Sequence, residues 1–376
     1  MKILQITSSF YPVVGGMEKV VLEISRGLVK RGHEVTVLTT DLYSTRALIG
    51  EENLEGIRIV RFKNKYNLRG YGYCPQAMTW LKKNFEKYDV VHSHGYNRYL
   101  SEFGISDLSG KVPTVFSPHG FIHTKKHRFA KKIHDLFIGR RIGKADVCTA
   151  LTKLDLKDYA RLRVAQEKII ELPNGVDTKR YKKVDVKRVA ALKKKYGLDK
   201  NTLLYVGRIH KSKGLQYVVK AIKELDCKLF IVGPDGGYKE ELVKQIKEEA
   251  VEEKVVFSGA INDEDLVAAY HASDIFVLFS EWEGFGLVVI EAMATGKPVI
   301  VSDRGSLPFL VNEGRNGFIV HFPNVNKLKE RIESLLGEKD KAKSIGNFGK
   351  NFVKKYDWGE IVNQTLNIYK KIMKNS

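Results

Sequence analysis

Cysteine is nearly absent from the chain: only Cys74, Cys148 and Cys227 occur, far apart and with no CxxC between them. That count and spacing argue against a disulfide framework and a structural zinc site, and fit a reducing compartment. No run of 18 or more apolar residues occurs, so no helix of membrane-spanning length is expected. The opening MKILQITSSF reads as a strand and lacks the basic start and longer apolar core of a signal peptide. The fingerprint GxGxxG is missing after this first apolar run. Every Gly-Lys pair is followed by Val, Ala, Pro or Asn, so Walker A is missing too, and neither HExxH nor GxSxG occurs. Nicotinamide chemistry, P-loop phosphoryl transfer, zincins and α/β-hydrolases therefore lose their main support. Acidic residues are also in deficit, with 44 Asp+Glu against 64 Lys+Arg and a formal net charge of +20. The excess is uneven: 29 basic and 16 acidic residues lie in 1–170, against 35 and 28 in the remainder. Such a balance attracts phosphates, nucleic acid or anionic lipid without selecting among them. Glutamine is scarce beside lysine and glutamate, a thermophile-like composition.

What is present is enough for two ordinary domains. The 376 residues are 43% hydrophobic and 29% charged, and roughly 150 residues make one domain. Apolar runs of strand length at 2–8, 35–39, 57–62, 89–92, 113–117 and 147–151 alternate with longer segments. One of these, 17–30, carries Val20, Val21, Ile24 and Leu28 on one helical face. A second series of strands is expected at 203–208, 228–233, 255–259, 275–280, 298–302 and 317–320. Helices are expected at 215–225, 239–252, 263–271, 287–295, 325–336 and 341–355. This βαβ alternation predicts an α/β protein with two Rossmann-like parallel sheets in tandem. Pro173, Asn174 and Gly175, then a Lys/Asp-rich stretch, place the boundary between Gly175 and Lys195.

Several polar clusters invite a functional reading. Asp263-Glu264-Asp265 is a DxD sequence that could bind a divalent ion, but it follows Asn262 where a helix starts, and acidic residues there cap the helix. His92 and His94 share a strand face, and His119, His123 and His127 follow. No carboxylate or cysteine accompanies them at metal-ligand spacing, so polar residues at strand ends, where open α/β sheets bind ligands, are expected instead. The most informative segment is FSEWEGFGLVVIEAMATG, 279–296. A strand ends at Ser280, the turn Glu283-Gly284-Phe285-Gly286 follows, and a helix opens with Leu287 and Val288. Free N–H groups at such a helix start form an anion site, beside which Glu283 and Glu291 can accept hydrogen bonds from hydroxyls. Arg208 and Lys213, two cations beyond another strand end, suit a diphosphate.

The string E-G-F-G-L-x-x-x-E resembles the E-x7-E signature of retaining glycosyltransferases of the GT-B fold, family four. Gly15-Gly16-Met17-Glu18, Ser117-Pro118-His119-Gly120, Asn174-Gly175-Val176-Asp177, Val206-Gly207-Arg208 with Lys211-Ser212-Lys213-Gly214, and Val232-Gly233-Pro234-Asp235-Gly236 resemble further motifs of that family. They occur in the family's order over about residues 1–360. The resemblance implies two Rossmann-like domains facing across a cleft: an acceptor domain over 1–178, with a helix at about 357–376 packed back on it, and a donor domain over 179–356. It implies transfer of a sugar, with retention, from a UDP- or GDP-linked donor to a sugar or lipid-linked acceptor. The donor would lie against Gly15, Gly16, Arg208, Lys213, Glu283, Gly284, Phe285, Gly286, Leu287 and Glu291. Glu291 would take the ribose hydroxyls and Glu283 the sugar hydroxyls. Arg208 and Lys213 would stabilise the leaving diphosphate, so that no metal or other cofactor is expected. His119 would lie near the reacting face of the sugar.

Three readings stay beside this one. A nucleotide-sugar epimerase shares the fold but not E-x7-E. The basic stretch 123–144 holds eight Lys/Arg, among them Lys125, Lys126, Arg128, Lys131 and Lys132, and one Asp. Phe129, Ile133, Leu136 or Phe137, and Ile142 recur at helical spacing. An amphipathic basic helix suits an anionic membrane surface, or an ordinary domain helix with a solvated basic side. Nucleic-acid binding, which wants interleaved aromatics or a recognition helix, fits less well. A cytoplasmic protein, peripheral on the inner membrane face, is the resulting expectation. The acceptor is expected to be chosen by loops at 41–54 and 63–78, where Tyr66, Tyr71 and Tyr73, with nearby Trp80, could stack on a sugar or equally well pack in the core or on the surface.

Overall fold

The computed structural model describes residues 1–374 apart from 14, 44–48, 69–70 and 122–127; the side chains of 68 and 128–133 also lie outside the description. The chain divides into two compact units, Met1–Gly175 with Trp358–Ser376, and Val176–Asp357.

The first unit is built on β1 (Lys2–Thr7), β2 (Glu34–Thr40), β3 (Gly50–Leu54) and β4 (Ile57–Phe62), then β5 (Tyr66–Leu68), β6 (Tyr71–Tyr73), β7 (Val90–His94), β8 (Thr114–Ser117), β9 (Val147–Ala150) and β10 (Ile169–Glu171). Its helices are α1 (Gly16–Val29), α2 (Pro75–Asn84), α3 (Tyr99–Leu108), α4 (Arg128–Ile142) and α5 (Lys153–Arg161). The main sheet runs β10-β9-β8-β7-β1-β2-β4-β3. All neighbours are parallel except β3, which pairs antiparallel with β4. β1 lies in the middle of this sheet, covered on both faces, and is buried from Ile3 to Thr7. The same logic buries Val20, Val21, Ile24 and Leu28 of α1, the face expected from their spacing. Strand β3 and the β5–β6 hairpin occupy parts of the stretches read from the sequence as loops. β3 lacks a continuous apolar run because it is a partly exposed edge strand.

The C-terminal helix Trp358–Lys374 completes this unit. It buries Ile361, Val362, Thr365, Leu366, Tyr369 and Ile372, a single helical face. Gly175 permits the close approach of its first residue, since a Cβ there would sit 2.4 Å from the Trp358 ring.

The second unit comprises α6 (Thr178–Lys182), α7 (Val186–Tyr196), β11 (Thr202–Val206), α8 (Leu215–Ala221), β12 (Lys228–Val232), α9 (Lys239–Glu248), β13 (Val255–Gly259), α10 (Asp263–Ala272) and β14 (Ile275–Leu278). It continues with α11 (Leu287–Ala294), β15 (Val299–Ser302), β16 (Gly317–Val320), α12 (Val325–Gly337) and α13 (Lys339–Phe352), before the C-terminal helix, α14. Its sheet is wholly parallel, in the order β13-β12-β11-β14-β15-β16. Among the parallel strands of each sheet the order reverses once, between β1 and β7 in the first and between β11 and β14 in the second. Open α/β sheets bind ligands at the carboxyl ends of the strands beside that reversal.

Candidate functional site

In the second unit, the chain leaves β11 through Gly207-Arg208 and enters a 3-10 turn, Lys211–Lys213, before α8. Gly214 joins the two at φ 72°, and a Cβ there would lie 1.8 Å from the Phe279 carbonyl oxygen. Only glycine lets the turn press this closely against the end of β14. The contact is fixed by the Glu281 N–H donating to the Ser212 carbonyl at 2.7 Å. As a result Lys213 reaches Glu283, with 2.6 Å between Nζ and Oε1. The Ser280 hydroxyl donates to the same carboxylate oxygen at 3.0 Å. Arg208, exposed just beyond β11, has its carbonyl held by the Tyr205 hydroxyl at 2.8 Å, and its charge, like that of Glu283, acts on the Tyr205 phenol. Burial, aided by the Glu283 charge, pushes the Tyr205 phenol well above its ordinary pKa, so it stays a donor.

After Glu283 the turn passes through Gly284, buried Phe285 and Gly286 into α11, whose N-terminus no side chain caps. The N–H groups at Leu287 thus begin a helix with an open positive end. One turn further, Glu291 is only 4% exposed. Its Oε2 accepts from the Tyr270 hydroxyl of α10 at 2.9 Å, and Tyr181 of α6 packs edge-on to Tyr270 with ring centres 5.6 Å apart. Burial first, and then the Glu291 charge, raise both phenols well above their ordinary pKa. Thus the structure brings Arg208, Lys213 and Glu283 together at the β11/β14 reversal, and sets Glu291 deeper, on tyrosines that sequence reasoning did not single out. Their signal, two aromatic residues on separate helices, is ordinary core material when read along the chain.

In the first unit, Gly15 precedes α1 and Gly16 begins it. A Cβ on Gly15 would lie 2.2 Å from the Glu18 carboxylate, which accepts from the Ser9 hydroxyl. His119 follows β8 at φ 54°, a backbone conformation that costs a non-glycine residue roughly 1–3 kcal/mol and clusters at functional sites. Burial lowers its pKa to about 4. Behind it, His92 and His94 on β7 are fully buried, with pKa values held well below the ordinary imidazole range by the same desolvation. They bond to one another's neighbours rather than converging: His94 Nδ1 lies 2.8 Å from His119 Nε2, and His92 lies 2.7 Å from both Tyr369 Oη and Ser117 Oγ. Gln5, the one polar residue inside the apolar run of β1, was the visible clue to this network.

The DxD segment is used structurally. Asn262 caps α10 by accepting from the Asp265 N–H at 2.8 Å. Asp263 pairs with Arg180 at 2.9 Å and Asp265 with Arg188 at 2.7 Å. Among the described residues no group of three His, Cys, Asp or Glu is arranged to hold a metal. Of the basic stretch, Lys125 and Lys126, with His123 and His127, lie outside the described residues, as do the side chains of Arg128, Lys131 and Lys132. From His134 onward α4 buries Asp135, Ile138 and Ile142, whereas Leu136 and Phe137 are 51% and 62% exposed. The expected apolar stripe through Leu136 or Phe137 is therefore not the buried face. The reason is Asp135, which turns inward to meet Arg161 and the Tyr96 hydroxyl.

Residues 14–180 match the family Glycosyltransferase Family 4, and residues 189–352 match Glycosyl transferases group 1. The chain is a group 1 glycosyltransferase. Over 407 aligned residues it is 27% identical to an uncharacterized glycosyltransferase of Methanocaldococcus jannaschii, spanning 99% of both chains. It is equally 27% identical to the GDP-mannose:cellobiosyl-diphosphopolyprenol alpha-mannosyltransferase of Xanthomonas campestris, over 98% of this chain and 96% of that one. The crystal structure of Anabaena HepE in complex with UDP superposes with a TM-score of 0.80 at 20% identity, over 99% of this chain and 100% of that one. This glycosyltransferase has the GT-B fold, with two α/β units. Among its described residues no helix is long and apolar enough to cross a membrane.

Proposed function

We propose that this glycosyltransferase moves a hexosyl group from a nucleoside diphosphate sugar, UDP- or GDP-linked, to a sugar or lipid-linked acceptor, with retention and without a metal. The observation that carries the reading is the Lys213–Glu283 pair at 2.6 Å, set beside Arg208 and the uncapped start of α11. A cation pair, open N–H groups and a carboxylate at one strand end match a diphosphate followed by hydroxyl groups. Arg208 and Lys213 take the developing charge on the leaving diphosphate, the task a metal performs elsewhere. In the transfer itself the acceptor hydroxyl oxygen bonds to the anomeric carbon, the bond from that carbon to the diphosphate oxygen breaks, and a donor phosphate oxygen takes the hydroxyl proton. Glu291, anchored by the Tyr270 hydroxyl, receives the ribose hydroxyls. Gly15, Gly16 and His119 serve the same reaction from the first unit. The names of the relatives, with GDP-mannose and a polyprenol-linked acceptor in one and UDP in another, support both the donor class and a lipid-linked acceptor. Exposed Leu136 and Phe137, within the basic stretch 123–144, support a peripheral site on an anionic, inner membrane face.

A thermal-shift panel of nucleoside diphosphates and their sugars tests the donor claim. At 100-fold excess over Kd a bound ligand adds about 2.7 kcal/mol of stability. One base is expected to raise Tm in the parent and not in Arg208→Ala; a flat panel across uridine and guanosine donors sinks the reading. Turnover is expected to persist in EDTA. Complete loss, restored by Mg²⁺ or Mn²⁺, would remove the claim of metal independence.

A further inference from the structure

We propose that Gln5 and Tyr369, acting through His94, hold His119 in the tautomer protonated on Nε2, so that Nδ1 accepts a hydrogen bond from a substrate hydroxyl. The proposal rests on the reading of His119 as a residue of the transfer site. Gln5 and His92 are partners in the β1–β7 register, and His94 follows two residues on along the same face. The Gln5 side-chain amide donates from Nε2 to Tyr369 Oη at 3.1 Å, while its Oε1 accepts from His94 Nε2 at 2.5 Å. A neutral imidazole has one donor and one acceptor, so His94 Nδ1 is left as a lone pair. That lone pair lies 2.8 Å from His119 Nε2, which therefore donates. His119 Nδ1 carries the remaining lone pair; it is buried and has no hydrogen-bond partner among the described residues.

A second arm locks the same amide. Tyr369 Oη, having accepted from Gln5, donates to His92 Nδ1 at 2.7 Å. His92 Nε2 then donates to Ser117 Oγ at 2.7 Å, and Ser117 Oγ meets Thr149 Oγ1 at 2.6 Å. Gln5, His92, His94 and Tyr369 are all fully buried, so no water competes for these bonds. Desolvation keeps the three imidazoles neutral at ordinary pH, which the donor sequence requires. Turning the Gln5 amide over would reverse every donor in the chain and place the proton on His119 Nδ1. The hydroxyl of Tyr369 and the amide of Gln5 are thus positioning groups, and the sign of the hydrogen bond offered to substrate is set two residues behind the one that makes it.

Long-range proton–nitrogen NMR on the full chain, labelled with ¹⁵N-histidine and assigned by single His→Gln variants, reads the tautomer directly. The parent should show His119 Nδ1 as the unprotonated nitrogen and Nε2 as the protonated one. Tyr369→Phe removes only the hydroxyl that orients the amide, and Gln5→Leu removes the amide itself. Either should let both His119 nitrogens average between the two forms, with turnover falling while the donor KM stays as in the parent. A proton on Nδ1 in the parent overturns the proposal. So does an unchanged His119 spectrum in Tyr369→Phe, which keeps the ring and the fold even if Gln5→Leu does not. The tautomer is read without substrate, so failure of the transferase reading leaves this result standing and the two failures are distinguishable.

Discussion

At the scale of single residues, the second-unit cluster is a set of charges that answer one another before any substrate arrives. Glu283 is held by Lys213 and the Ser280 hydroxyl, which keeps it extended toward the end of β14 instead of folding into solvent. Replacing Lys213 with Ala therefore removes a cation and also strands a carboxylate. Arg208→Ala with Lys213→Ala is expected to lower kcat by orders of magnitude, since one preorganised charge at a developing oxyanion is worth about 3–4 kcal/mol. A double variant with near-parental turnover would remove the clamp assignment. Glu291→Ala should act differently. Its carboxylate is anchored by Tyr270, so the loss should weaken donor binding, seen as a raised Kd in calorimetry, more than it slows a saturated enzyme. Much of this was legible in the sequence, because glycines and charges in a strand-turn-helix sit close together along the chain. The tyrosines under Glu291, and the partnership of Gln5 with Tyr369 across 364 positions, were not, because nothing local marks which distant helix supplies a buried hydroxyl.

Elements were legible where a parallel strand is a short apolar run closed by turn residues. The runs 57–62, 255–259 and 317–320 are strands with those bounds, since apolar content and turn signals agree there. Edge and hairpin strands such as β3, β5 and β6 carry Glu, Asn, Tyr and Gly in mixed order, and no period announces them. Helix α4 shows the same limit: a buried aspartate rotates the face that spacing alone would choose. Its basic flank carries a prediction. Lys125, Lys126, Lys131 and Lys132 changed to Gln remove four charges, each worth roughly 1 kcal/mol near an anionic surface. Vesicle binding and turnover on a lipid-linked acceptor should fall together, with nucleotide binding unchanged; parental binding to vesicles would end the peripheral-membrane proposal. Strand β7 carries another. Its histidines are neutral when folded, and their lowered pKa values mean that the unfolded chain binds protons first as pH falls below about 6.5. Stability should be flat above that pH and decline below it, continuing toward the His119 value of about 4. Urea midpoints that do not move between pH 6.5 and 5 would contradict neutral burial.

At the scale of the whole molecule, the second unit is an uninterrupted segment, whereas the first is assembled from both ends of the chain. Removing 358–376 strips the first unit of Trp358, Ile361, Leu366, Tyr369 and Ile372, all buried. Each such side chain contributes roughly 1.5–3 kcal/mol, so together they rival the 5–15 kcal/mol that holds a typical domain folded. Limited proteolysis of the truncated chain should therefore cut within 1–175 while sparing 176–357; equal resistance in both would show that α14 is dispensable. The same arrangement sets an order of events on the ribosome. The first unit leaves the exit tunnel first but finishes last, because Gln5 and Trp358's neighbours must wait for the final helix to be made. At roughly 5–20 residues per second, translating the inserted segment alone takes on the order of ten seconds or more. Throughout that interval the nascent protein carries an open β1–α1 surface, and the half that is made second is the half that is finished first.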